Sequence, residues 1–152
     1  MKVTVLLKND HDGLKALFDK FNRPGGARNQ NFKKDVFDEI RKEILVHFQM
    51  EQEIFYPALG ATSSTQATEM IAKVEQQHQS IEKVLEELNG MNGSEKTFES
   101  KMATLKDTVV RHIQMEEEEI FDEARKSLPE YRLEELGLEM EERRKILVTL
   151  AA

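Results

Sequence analysis

The chain has 152 residues, enough for one domain with a sizeable core. Its 22 basic and 29 acidic side chains leave a net charge of −7, which repels phosphate backbones, so no nucleic-acid partner is expected. Cysteine is absent, which excludes disulfides, thiolate zinc sites, Cys-ligated iron–sulfur clusters and Cys nucleophiles; any metal must be held by Asp, Glu and the four His.

The apolar run 3–7 is too short for a signal-peptide core and is followed by Lys8 and Asp10. A first helix is predicted over 3–22, with Leu7, Leu14, Phe18 and Phe21 on one face and Pro24, Gly25 and Gly26 closing it. The second, 31–58, carries Ile40, Ile44, Phe48, Phe55 and Leu59 and ends near Pro57 and Gly60. Ser63 or Ser64 caps the third, 65–89, whose stripe is Ile71, Val74, Ile81, Leu85 and Leu88. After Gly90 and Gly93, Ser94 is the expected N-cap of a fourth helix over 95–127, with Met102, Leu105, Val109, Ile113 and Ile120 inward. Pro129 opens a fifth over 130–150, with Leu133, Leu136, Met140, Leu147 and Leu150 at helical spacing and Gly137 weakening its middle. Short connections between long helices favour antiparallel neighbours. The expected fold is all-α: an up-down-up-down four-helix bundle over 1–128, with an amphipathic C-terminal helix over 129–152 packed on or beside it in the same domain. No apolar stretch reaches the roughly 18–20 residues a bilayer span needs, so no membrane partner and a cytoplasmic location are expected.

The two halves resemble each other. His47-Phe-Gln-Met-Glu51-Gln-Glu-Ile-Phe55 matches His112-Ile-Gln-Met-Glu116-Glu-Glu-Glu-Ile120 without a gap. Upstream, His11-Asp-Gly-Leu14 matches His78-Gln-Ser-Ile81, and the two His of a half are 36 residues apart in one and 34 in the other. This pattern is a duplicated helix hairpin carrying one His and then His-x-x-x-Glu.

On the apolar stripes, His11 and His78 fall on the inward faces of helices 1 and 3. His47 with Glu51, and His112 with Glu116, fall on those of helices 2 and 4, because residues four apart share a face. A lone inward His is ordinarily a hydrogen-bonded core residue, but a lone buried carboxylate is costly. One metal site accounts for all six residues together. From His47 to the end of helix 2, and from the start of helix 3 to His78, is about 20 Å at about 1.5 Å per residue, so those ligands share one height. Imidazole and carboxylate without sulfur allow iron, manganese or zinc; a carboxylate-bridged pair in a bundle core favours iron, with Glu51 and Glu116 bridging and open positions left for a small molecule.

The ordered set His11, His47-x-x-x-Glu51, His78, His112-x-x-x-Glu116 resembles the hemerythrin-like (HHE cation-binding) family over about residues 3–127. The resemblance implies two iron ions with an oxo or hydroxo bridge, binding dioxygen or reacting with peroxide or nitric oxide. Oxygen-carrying hemerythrins have a further His four residues before the position of His78; here it is Val74. Two His on each iron make a more symmetric centre, which counts against reversible oxygen transport. Their last carboxylate follows its His by five residues; here Glu116 stands at four and Glu117 at five, and the duplication favours Glu116. Glu75 is read as solvated rather than as an extra ligand, and Tyr56, one turn past Glu51 and within reach of the site, as a packed or capping residue. Two functions share these ligands: a peroxide- or oxygen-handling oxidoreductase, and a non-enzymatic iron- or oxygen-responsive sensor. The C-terminal helix is the expected surface for a protein partner or a second copy.

Overall fold

The helix predicted over 3–22 forms as Val3–Phe21 (α1) in a computed structural model that describes residues 1–23 and 30–151. Pro24, Gly25 and Gly26, the expected first breakers, lie outside the described residues. α2 starts as Gln30–Met50, continues through one π-helical turn, Glu51–Phe55, and ends as Tyr56–Gly60. α3 is Thr65–Asn89, and Ser64 caps it by accepting from the Ala67 amide at 3.1 Å. α4 repeats the plan of α2: Lys96–Met115, a π turn at Glu116–Ile120, then Phe121–Ser127. α5 is Glu130–Ala151, and no strand occurs among the described residues. Ser94 does not cap α4 as expected. Its hydroxyl donates to Asn92 Oδ1 at 2.6 Å, and the N-cap is Glu95, whose carboxylate turns back to the Asn92 and Gly93 amides. Gly93 supplies the left-handed backbone of that connection (φ 95°), which residues with a Cβ rarely adopt.

Helices α1–α4 form the up-down-up-down bundle, with α1 packed on α2 and α3 on α4, and α5 lying against α1 and α2. Three ion pairs fasten α5: Arg143 grips Glu53 in the π turn of α2 at 2.7 Å, Arg144 reaches Asp10 of α1 at 2.5 Å, and Glu130 meets Lys2 at 2.6 Å. The apolar stripes divide into two clusters. One joins Val3 and Leu7 with Phe55, Leu59, Val74, Ile120 and the inward residues Leu133, Leu136, Met140 and Leu147 of α5. The other joins Leu14 and Phe18 with Ile40, Ile44, Phe48, Ile81, Leu105, Val109 and Ile113. His11 sits between Leu7 of the first cluster and Leu14 of the second, and so marks a polar layer between two dry ones. Leu150 departs from the expected stripe: it is 76% exposed, in the last turn of α5. No helix among the described residues is long and apolar enough to cross a membrane.

Gly137 weakens α5 less than its helix propensity suggests, because the fold uses it. A Cβ there would stand 1.8 Å from the Met1 carbonyl oxygen, so the start of the chain lies directly on the α5 backbone. At Gly13 nothing lies within 4 Å, so that glycine does not serve close helix approach. The two positions should therefore respond oppositely to alanine. Gly13→Ala should stabilise by up to about 1 kcal/mol through propensity. Gly137→Ala should destabilise by about 1–2 kcal/mol, as overpacking outweighs the same gain. Urea unfolding of both variants checks this; equal gains would mean that the N-terminus does not rest on α5.

Candidate metal centre

The polar layer is assembled from one turn of each bundle helix. His11, His47, Glu51, His78, His112 and Glu116 are all buried, and both carboxylates have no solvent exposure. Each Glu opens a π turn, in which the amide five residues later returns to its carbonyl: Tyr56 to Glu51, and Phe121 to Glu116. Such turns insert one residue and rotate everything beyond it, and they occur often at functional sites. Here Tyr56 reaches the Glu116 carboxylate and Phe121 lies beside the His11 ring.

The four imidazoles point the same way, with Nε2 inward. His11 and His47 present their Nε2 atoms 3.2 Å apart, and His78 and His112 present theirs 3.3 Å apart. Glu51 Oε1 is 3.3 Å from both His47 Nε2 and His78 Nε2, and Glu116 Oε1 is 3.1 Å from His11 Nε2. Two four-residue sets result, His11–His47–Glu51–Glu116 and Glu51–His78–His112–Glu116, each with ligand atoms within 4.8 Å of one another and both sharing the two carboxylates. Both Glu51 oxygens and Glu116 Oε1 are buried with no hydrogen-bond partner. Orphaned oxygens of this kind are rare in a stable interior, as are imidazole lone pairs facing each other. Cations resolve both. Bonds of about 2.1 Å at tetrahedral or octahedral angles leave neighbouring ligand atoms about 3.0–3.4 Å apart. The residues present fit a pair of cations.

Each outward Nδ1 also has a partner. His11 faces Glu117 at 2.7 Å, His47 faces Asp10 at 3.2 Å, and His112 faces the Gln77 carboxamide oxygen at 2.7 Å. At His78 the outer contact differs: the Gln52 amide nitrogen, a donor rather than an acceptor, lies 3.4 Å from Nδ1. A proton on Nδ1 leaves the inward nitrogen free to coordinate. Phe48 stacks on His78 with centroids 3.6 Å apart, and Phe121 lies parallel to His11 at 5.9 Å, so aromatic faces wall the layer.

Without a cation the cluster balances its charge internally. Burial pushes His11 down to about 4 and His112 down to about 3, so both are neutral near pH 7. Burial acts likewise on His47, but Glu51 and Asp10 outweigh it and hold this imidazole well above its ordinary value. Against the cost of burial, His47 holds Glu51 well below the carboxylate range, whereas burial and the neighbouring Glu51 push Glu116 well above it. The metal-free protein should thus be acid-sensitive. Unfolded His11 and His112 take up protons near pH 6.5, whereas the folded pair do so only near 4 and 3, so stability is lost as pH falls through that window. Glu116, held above the carboxylate range in the fold, works against this trend and reduces the slope. Urea midpoints of the stripped protein at several pH values check it; a flat profile would contradict the buried neutral imidazoles.

Tyr56 is not simply a packed or capping residue. Its hydroxyl donates to Glu116 Oε2 at 2.5 Å and lies 3.4 Å from His78 Nε2. The π turn that opens at Glu51 returns the Tyr56 amide to the Glu51 carbonyl, and the Tyr56 hydroxyl reaches the centre from there. Glu116, the carboxylate favoured by the duplication, faces the interior of the layer, and Glu117 turns to the outer nitrogen of His11. Glu75 is exposed, as read, on the rim of a cleft of about 260 Å³ that Gln52 and Tyr56 also line.

Comparison with known proteins agrees with this geometry. The profile of the hemerythrin HHE cation-binding domain matches residues 3–124. A crystal structure of a hemerythrin HHE cation-binding domain-containing protein from Mycobacterium kansasii superposes with a TM-score of 0.82 at 26% identity, covering 97% of this chain and 87% of the other. A curated relative named DNA nickase, from a Nostoc species, is 21% identical over 139 residues; the match takes in 91% of this chain but only 38% of that protein.

Proposed function

The chain belongs to the hemerythrin HHE cation-binding family, and on that premise we propose that it holds two iron ions and binds or reacts with dioxygen, hydrogen peroxide or nitric oxide. His11, His47, Glu51, His78, His112 and Glu116 would hold the two ions, the two carboxylates being common to both four-residue sets. The observation that carries this reading is the pair of four-residue sets sharing both carboxylates. Imidazole and carboxylate donors in a bundle core suit iron, with manganese and zinc as the competing occupants. When bound, an iron pair supplies one- and two-electron redox chemistry and open coordination positions.

The chain's own residues set the conditions for that chemistry. Glu51 and Glu116 bring negative charge into a layer closed by apolar clusters on both sides. Phe48 and Phe121 keep water from the imidazole faces. Burial and the two carboxylates push the Tyr56 hydroxyl well above its usual range, so it keeps its proton and offers it to Glu116. A small ligand would approach from the cleft lined by Gln52 and Tyr56, because Tyr56 touches a ligand carboxylate.

Residues 1–128 form the proposed bundle and 129–152 a helix of the same domain, supported by the apolar cluster that α5 shares with α1–α4. A cytoplasmic location without a membrane or nucleic-acid partner accords with the net charge of −7. The nickase relative does not change this, since most of that protein lies outside the matched region.

Metal analysis of purified protein, with absorption spectra before and after oxygen or peroxide, tests the reading. Iron near two per chain, near-ultraviolet absorption and a response to oxidant support it. A colourless zinc protein overturns it. A second reading, a non-enzymatic sensor, is favoured by one contact chain: Arg144 of α5 binds Asp10, which binds His47. Spectral change without peroxide turnover, together with altered protease access to α5, would favour the sensor; steady turnover would favour the oxidoreductase.

A further inference from the structure

The duplication that supplies equal ligands to both halves does not supply equal surroundings, and the differences fall at equivalent positions. The residue before the first His of each half faces the outer nitrogen of the second His of the same half: Asp10 for His47, Gln77 for His112. The residue after each ligand Glu faces the first His of the other half: Glu117 for His11, Gln52 for His78. The residue five beyond each Glu is Phe121 beside His11 and Tyr56 beside His78. At both outer positions the His11–His47 side has a carboxylate and the His78–His112 side a carboxamide, Gln77 through its oxygen and Gln52 through its nitrogen, which cannot accept an N–H at all.

We infer that the two cation positions are tuned apart, with the position bounded by His11 and His47 filling first and binding more tightly than the one bounded by His78 and His112. The inference rests on the ligand reading above. An imidazole whose outer N–H is held by a carboxylate becomes a more basic, more negative donor than one held by a neutral amide, and such partners typically change metal affinity ten- to hundredfold. Two aligned substitutions act on one position here, and neither acts on the other. Lys8 and Arg144 contact Glu117 and Asp10 from outside, but both cations are about a third or more exposed and screened by water, whereas Asp10 and Glu117 are largely sheltered. The Gln52–Tyr56 cleft opens beside the weaker position, so ligand exchange belongs there.

Anaerobic titration of metal-free protein with Fe(II), and separately with Co(II), tests this by binding isotherms independent of turnover. Two cations sharing carboxylates repel, so two steps alone carry no information; which residues govern which step decides. His112→Ala should keep the tight step and His47→Ala should lose it. Asp10→Asn and Glu117→Gln should each weaken the first step about ten- to hundredfold and leave the second nearly unchanged. Gln77→Glu should strengthen the second step, a gain that no folding defect imitates. If His47→Ala keeps the tight step, or Asp10→Asn and Gln77→Glu leave both affinities unchanged, the inference is wrong. If His47→Ala and His112→Ala both bind two cations as the parent does, the ligand reading itself fails.

Discussion

Glu51→Ala and Glu116→Ala should each lose both cations, whereas His11→Ala and His78→Ala should each keep one. Each carboxylate belongs to both four-residue sets, and each His to one. Removing a shared Glu leaves both positions with two neutral imidazoles and a single carboxylate, too little charge to hold a divalent ion in a layer without solvent exposure. Removing His11 costs only the position it bounds. Metal counts after gel filtration read the difference directly. Glu117→Gln keeps both ions at saturating metal, because its carboxylate meets the outer nitrogen of His11 and not the shared centre. If Glu117→Ala lost both ions and Glu116→Ala retained them, the bridge would lie one residue further on.

Stripping the metal should produce the second large effect. The stripped fold buries three carboxylate oxygens without partners and two pairs of facing imidazole nitrogens, all of which the unfolded chain exposes to water. With free metal at 100 times the dissociation constant, each position adds about 2.7 kcal/mol, so two add about 5 kcal/mol. For a chain of this size that is a rise of about 10–20 °C in melting temperature. Acid reverses it, since an imidazole must be neutral to coordinate. Calorimetry of loaded and chelator-treated protein at pH 7 and pH 5 checks both statements; coincident melting at both pH values would contradict them.

The fold and the six central residues were legible because both are written in period. Apolar residues at three- and four-residue spacing place His11, His47, His78 and His112 on buried faces, and the repeat pairs them. Where the period is interrupted, the sequence is silent. A π turn changes hydrogen bonding without changing composition, so the sequence places Tyr56 one turn past Glu51 but does not give its hydroxyl on Glu116. The outer partners Asp10, Gln77 and Glu117 flank the apolar stripes, where a polar residue on a helix ordinarily meets water; only the assembled layer half-buries them, whereas Gln52, though it reaches His78, is as exposed as Glu75. Local competition hid the rest. Ser94 is a good N-cap by type, but Asn92 takes its hydroxyl and the Glu95 carboxylate takes the free amides. Gly137 reads as a helix defect until the backbone of Met1, more than a hundred residues away, is placed against it.

X-ray absorption of the iron-loaded protein tests the central claim, that one buried layer holds two cations between shared carboxylates. The geometry predicts iron near two per chain, nitrogen and oxygen neighbours at about 2.1 Å, and a second iron about 3–4 Å from the first. A single iron per chain, or two with no iron neighbour within that range, would contradict it.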